Sequence, residues 1–155
     1  MSRNLLGALA GAVFLWLLVA SAAFAAASPV VRTTHNAHLQ ATILVDKQGH
    51  TLYDLSVERR GRFICDTKAC LAFWTPLVVA KGTKPAGTVA LGTVTRPDGT
   101  LQVTYKGAPL YTFNEDSKRG DTRGEGFKDV GTWHAATTSG AAKHTSTSSG
   151  GYTYP

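Results

Sequence analysis

Cysteine is nearly missing from this chain: there are two in 155 residues, Cys65 and Cys70. Methionine is scarcer still, a single residue at position 1. Once the N-terminus is removed, no thioether remains for a blue-copper or haem axial position. The two cysteines form neither Cys-x-x-Cys nor Cys-x-x-Cys-His, which leaves thioredoxin-type exchange and covalent haem without their geometry. Gly-x-Ser-x-Gly and His-Glu-x-x-His are absent, and no Lys-Ser/Thr pair follows a glycine loop. Hydrolases of the nucleophile-elbow type, zincin metalloproteases and phosphate-loop NTPases therefore find no motif here. No long segment keeps a helical apolar period, so long amphipathic helices are not expected.

What is present begins with an export signal. Arg3 supplies a positive start, Leu5 to Ala20 an apolar run, and Ala23-Phe24-Ala25 and Ala25-Ala26-Ala27 two small-residue cleavage sites. Residues 1–27 are read as a secretory signal peptide, with no cysteine near the cleavage region to carry a lipid. About 130 residues then remain, enough for one domain and one modest core, with no spanning helix expected after cleavage. The formal charge of +6 falls by one with the loss of Arg3. The basic residues are scattered apart from Arg59-Arg60-Gly61-Arg62, which reads as a solvated loop or a weak attraction to anionic polymers. They are not interleaved with an aromatic platform, so nucleic acid is not an expected partner. In an oxidising exported compartment, Cys65 and Cys70 read as a disulfide pinning a turn.

Along the chain, 28–38 reads as an extended lead-in and 39–138 as the domain. LQATILVDK (39–47) and HTLYDL (50–55) read as strands around a turn at Gly49. ERRGRFICDTKAC leads to the cysteine pair, and a short helical turn is expected near 66–74 before Pro76 interrupts and Leu77 to Ala80 extends. TVALGTVTR (88–96), LQVTYK (101–106), APLYTF (108–113) and TWHAAT (132–137) are further strand candidates, with turns at Pro97-Asp98-Gly99 and Lys106-Gly107. A serine-, threonine- and glycine-rich tail at 139–155 reads as disordered. The expected fold class is mainly β: a single small domain of antiparallel hairpins.

Shifting the chain by 58 residues aligns it with itself. Val45 falls on Val103, Gly49 on Gly107, Leu52 on Leu110, Tyr53 on Tyr111, Leu55 on Phe113 and Glu58 on Asp116. One further residue of slippage places Trp74 on Trp133. Two pseudo-repeats are therefore expected, a first unit at about 43–80 and a second at about 88–137. Tyr111 and Phe113 share one strand face, and Asp116 lies just past the strand end, where a carboxylate can cap a corner. The same residues could instead form a ligand site with the glycine-rich loop, through Tyr111, Phe113, Asp116, Gly120, Asp121, Gly124 and Gly126. Tyr53, Glu58, Trp74 and Trp133 are expected to serve the architecture.

The run Tyr111-Thr112-Phe113-Asn114-Glu115-Asp116 resembles the Tyr-x-aromatic-x-x-Asp signature of a bacterial secreted-repeat family with a Y-x4-D motif, often described as predicted lipoproteins of unknown function. DGTLQVTYKGAPLYTF, GDTRGEG and Trp133-His134 frame it similarly, as do Tyr53, Cys65, Cys70 and Trp74 in the first unit. The likeness spans about 40–137. Leu55 and Glu58 depart from the signature, and the lipobox is absent. The resemblance implies a secreted or periplasmic repeat domain and brings no reaction or ligand.

Other motifs are weaker. His35 and His38 lie on the lead-in, where metal affinity would be adventitious. Arg119-Gly120-Asp121 spells an adhesion tripeptide, which chance supplies often. The loop at 120–126 could present amides as an anion nest. Cys65, Cys70 and His134 could hold a soft metal only with both thiols reduced. The expectation is thus a non-enzymatic binding module without cofactor, its partner an envelope protein or an anionic surface polymer. An envelope redox or metal-handling accessory protein using Cys65, Cys70 and His134 is the alternative.

Overall fold

The computed structural model describes residues 29–138; the expected signal peptide and the 139–155 tail lie outside the described residues. Three antiparallel sheets make up the domain. In the first, β1 (Val31–Asn36) pairs with β2 (Ala41–Asp46) along six residues each. Residues 31–36 of the expected lead-in are extended, as read, but they are an integral strand, with Val31 fully buried. β2 owes its place to Ile43, Leu44 and Val45, β-branched or bulky residues that are all buried.

The turn at Gly49 forms as expected, with φ +94°, and Val45 bridges Thr51. The hairpin then stops. β3 (Tyr53–Leu55) leaves β2 and enters a central four-stranded sheet with β4 (Trp74–Pro76), β9 (Tyr111–Phe113) and β10 (Trp133–Ala135), in the order β10-β3-β9-β4. Among the described residues α1 (Lys68–Leu71) is the single helical turn, capped by the Thr67 hydroxyl accepting from the Cys70 amide. It is shorter than the expected span of 66–74. Pro76, expected to interrupt the segment that opens as a helical turn, ends β4, an outer strand where a missing N–H costs no ladder bond, and the extension expected over Leu77 to Ala80 forms as a strand at Val78–Val79.

The third sheet holds β5 (Val78–Val79), β6 (Leu91–Thr95) and β7 (Leu101–Tyr105), with β8 (Ala108–Pro109) folded back onto β7. Lys106 and Gly107 join β7 to β8 with both φ values positive, +50° and +78°, as a tight type I′ hairpin demands. Here too the returning strand divides: β8 stays on β7, and β9 crosses to the central sheet.

The division has a backbone cause at Leu52 and Leu110. Leu52 N–H donates to Leu44 C=O, Ala136 N–H to Leu52 C=O, and Leu44 N–H to Ala136 C=O. Leu110 N–H donates to Val103 C=O, Leu77 N–H to Leu110 C=O, and Val103 N–H to Leu77 C=O. Each ring of three satisfies every donor it uses in a buried place, where an unpaired amide would be costly. The leucine side chains sit in one apolar cluster with Val31, Leu44, Val103 and Ala136.

In the central sheet Tyr53 faces Tyr111. Trp74 pairs with Phe113 on one side, and Trp133 with Leu55 on the other. Every pairing in that sheet therefore joins a strand of 43–80 to a strand of 88–137. The indoles of Trp74 and Trp133 stack at its heart, centroids 3.7 Å apart and 8° from parallel. Tyr53 meets Trp74 edge-on at 5.4 Å, and Tyr111 meets Trp133 edge-on at 5.1 Å. This register is consistent with the expected two-fold relation between residues 58 or 59 apart.

Candidate functional site

Two buried polar corners flank the aromatic core. At the first, the Glu58 carboxylate sits fully buried past the end of β3. Its Oε1 accepts the amides of Ile64 and Cys65, each at 2.6 Å. Its Oε2 accepts the phenol of Tyr111 at 2.8 Å. The same phenol oxygen accepts from Arg96 Nη1 at 3.1 Å. Arg96 also donates to Gln102 Oε1 at 2.6 Å and, through Nη2, to the Cys65 carbonyl at 2.8 Å. Its guanidinium lies 4.9 Å from the centre of the Phe63 ring. A buried cation and a buried anion are thus joined through a phenol, the pairing that makes their burial tolerable.

At the second corner Asp116 takes the equivalent role. Its Oδ2 accepts the phenol of Tyr53 at 2.6 Å, and its Oδ1 accepts the Arg123 amide at 3.0 Å. The Tyr53 oxygen accepts from the Gly124 amide at 3.3 Å, the place that Arg96 fills at the other corner. Arg123 is 58 residues beyond Cys65, so the two amide bonds correspond as the side chains do. The partners are exchanged: Tyr53 serves the acid of the second unit, and Tyr111 the acid of the first.

Burial, then the adjoining carboxylate, pushes both phenols well above the ordinary tyrosine range. They remain neutral donors at any physiological pH. Burial also pushes Asp116 upward, against the opposing effect of the Tyr53 and Arg123 hydrogen bonds.

The loop at 117–131 binds its own acids. Asp121 Oδ2 accepts the amides of Ser117 at 3.1 Å and Lys118 at 3.0 Å, and in the expected nest at 120–126 the amides of Gly120, Asp121, Arg123, Gly124, Glu125 and Gly126 all donate to acceptors of the protein itself. Asp121 C=O accepts the Thr51 hydroxyl at 2.6 Å. Glu125 accepts the Ala135 amide at 2.6 Å and lies 3.1 Å from His134 Nδ1, a contact that raises the histidine's pKa. Gly126 donates to Trp133 C=O with φ +75°. Gly124 is pressed onto the aromatic core: a Cβ there would stand 2.7 Å from Trp74 and 3.0 Å from Tyr53.

Cys65 and Cys70 are bonded to each other, Cα atoms 5.4 Å apart. That bond occupies both sulfurs, while His134 engages Glu125. Among the described residues no cluster of three or more His, Cys, Asp or Glu could hold a metal. Nor does any described helix have the length and apolarity to cross a membrane.

Of the candidate binding residues, Tyr111, Phe113 and Asp116 are buried, with Gly124 held against the core. Gly120 and Asp121 reach the surface loop, where Gly120 N–H donates to Gly49 C=O and Gly120 C=O accepts from Asn36 Nδ2. Reasoning from the sequence missed Arg96 and Gln102, the buried pair beside Tyr111. It also missed a surface groove of about 410 Å³ between β1 and the loop at 119–120, lined in part by Arg32, Thr34, Asn36, Gly49 and Arg119. Arg32 and Arg119 stand far apart in the chain, and no spacing signal links them.

No curated protein and no solved structure matches the chain. Residues 92–137, the greater part of the second unit, match the model of Lipoprotein_15, a secreted repeat of unknown function, and that match supports the family likeness.

Proposed function

We propose that this chain is an exported, non-enzymatic domain that works by binding a partner at the cell envelope or outside the cell, built from two interlocked units. The observation that carries the reading is the exchange of partners between Tyr53–Asp116 and Tyr111–Glu58. The side chains best suited to acid–base work are spent on joining the halves, and their phenols are held neutral. Paired carboxylates at a reacting centre would need access to substrate; Glu58 and Asp116 instead face amides and phenols in the interior. The secreted-repeat match at 92–137 supports the location. Contact with a partner then falls to the exposed loops and the groove beside β1.

The test is a turnover screen of the purified chain against ester, peptide, glycoside and phosphoester substrates, repeated with Asp116→Asn. The reading expects no turnover that depends on Asp116. Turnover by the wild type that Asp116→Asn abolishes, with the fold intact by circular dichroism, overturns it.

A further inference from the structure

Charge is distributed unevenly among the arginines. Arg59 pairs with Asp54 at 3.0 Å, Arg96 lies 3.9 Å from Asp98, and Arg123 lies 3.7 Å from Asp121. Arg32, Arg60, Arg62 and Arg119 have no acidic partner among the described residues; of these, Arg32 and Arg119 line one groove, and no described carboxylate lines it with them. Asp46, next to the groove residue Val45, turns its carboxylate toward the amides of Gln48, Gly49 and His50 and the His50 ring.

The placement is built by the fold. Arg32 faces Val45 across the β1–β2 ladder, and Thr34 follows on the same strand face. Asn36 ends that face by donating to Gly120 C=O at 2.9 Å while its Oδ1 accepts the Leu39 amide at 2.8 Å. That bond, with Gly120 N–H on Gly49 C=O at 3.0 Å, holds the loop against the strand. Arg119 then lies across Gly49, whose missing side chain makes the space: a Cβ there would be 2.5 Å from Arg119 Nε. Two planar five-donor forks, suited to bidentate oxyanion contact, thus share one opening. Its volume of about 410 Å³ exceeds what one oxyanion fills and falls in the range of small-ligand sites. Thr34, exposed on the same face, adds a hydroxyl that can meet the hydroxyls of a sugar.

We infer that the Arg32–Arg119 groove binds an acidic saccharide, a hydroxyl-rich chain bearing phosphate or carboxylate groups. The inference rests on the binding-module reading and gives it a site and a ligand class. The guanidinium of each arginine engages an oxyanion on the ligand, and the loop at 119–120 serves as the groove's second wall.

The experiment titrates the purified full chain with phosphorylated dextran, with polygalacturonate and with neutral dextran, by calorimetry at fixed ionic strength. Arg32→Gln, Arg119→Gln and the double variant are compared with Arg62→Gln, an exposed arginine outside the groove. One or both acidic polymers bind and dextran does not; which one binds identifies phosphate or carboxylate as the oxyanion source. Loss of one charged contact weakens binding about tenfold or more for each groove variant, and Arg62→Gln changes it less than about twofold. All three substitutions replace exposed side chains, so unchanged melting curves confirm an intact fold. Equal weakening by Arg62→Gln would mean unspecific charge attraction and overturns the groove. Acidic-polymer binding that ignores Arg32 and Arg119 also overturns it but leaves the binding-module reading standing. Failure of both acidic polymers to bind the wild type overturns it outright, whereas the module reading falls only to Asp116-dependent turnover.

Discussion

A double-mutant cycle across the two corners tests whether the halves exchange partners. In Tyr53→Phe the phenol that donates to Asp116 Oδ2 at 2.6 Å is lost, and the buried carboxylate keeps only the Arg123 amide. A hydrogen bond to a charged group contributes about 1.5–3 kcal/mol, and the unpaired acceptor makes the upper half of that range the expectation. Asp116→Ala removes the other partner. The coupling energy of Tyr53→Phe with Asp116→Ala should then be about 1.5–3 kcal/mol, and so should that of Tyr111→Phe with Glu58→Ala. The within-unit combinations, Tyr111→Phe with Asp116→Ala and Tyr53→Phe with Glu58→Ala, share no hydrogen bond and should be additive within about 0.5 kcal/mol. Urea unfolding monitored by tryptophan fluorescence supplies each free energy, with slopes compared to exclude a changed denatured state. Where an alanine variant does not fold, Asp116→Asn and Glu58→Gln replace it. Within-unit couplings above about 1.5 kcal/mol, with cross-unit couplings near zero, would refute the exchange.

Other consequences follow from single contacts. Gly124→Ala drives a methyl into Trp74 and Tyr53 and should cost about 1–3 kcal/mol or more by thermal unfolding; Gly126→Ala, which meets open space at φ +75°, should cost only the left-handed penalty of about 1–2 kcal/mol. Arg96→Lys keeps the charge but cannot span Gln102, Tyr111 and the Cys65 carbonyl together, so a loss of about 2 kcal/mol is expected in urea unfolding. His134 has its pKa raised by the bond to Glu125, with Asp54 adding and burial and Arg59 opposing. Protonated His134 therefore stabilises the fold fully below its ordinary value of 6.5 and stops doing so as pH rises through the higher folded value. The wild-type melting temperature should fall across that window, and His134→Ala should flatten the fall. Thiol titration of the unreduced, denatured chain should find no free thiol, and reduction should cost about 2 kcal/mol for so short a loop.

Much of the fold is legible in the sequence. β-branched runs and the Pro97-Asp98-Gly99 and Lys106-Gly107 turns located β2, β6 and β7 to within a few residues, because strand alternation and positive-φ turns are local properties. The 39–47 and 50–55 hairpin was only half right. Turn chemistry brings Thr51 back to Val45, but whether Tyr53 then continues along β2 or crosses to another sheet depends on Tyr111, distant in the chain. The self-alignment named equivalent residues and could not name partners. It reads the same whether Tyr111 bonds its own Asp116 or the other unit's Glu58. Arg96 escaped notice because a lone arginine before a Pro-Asp-Gly turn looks solvated; only tertiary packing buries it beside Tyr111.

The exchange has a geometric origin. An antiparallel pair centred on Tyr53 and Tyr111 sends each strand's C-terminal end toward the other's entry turn. Each loop therefore arrives at the opposite hairpin: Gly120 N–H reaches Gly49 C=O, and Arg60 N–H reaches Gly107 C=O. The acids, turned back at those loop starts, meet the other unit's phenol because it is the one in reach. A unit alone would leave its carboxylate buried without its phenol donor, or expose an aromatic face that needs covering, so neither half is expected to stand by itself. The residues that correspond under the 58-residue shift are those this joint requires. The groove residues do not correspond: Arg32 faces Val45 on its ladder, while at the matching place Thr93 faces Val103. At the second junction no side chain lies over Gly107, where a Cβ would meet open space. Structural demands act on both junctions alike, so a feature built at one and missing from the other is not explained by holding the fold together. The arginine pair over Gly49 is that feature, and the proposed binding of a partner gives it a role.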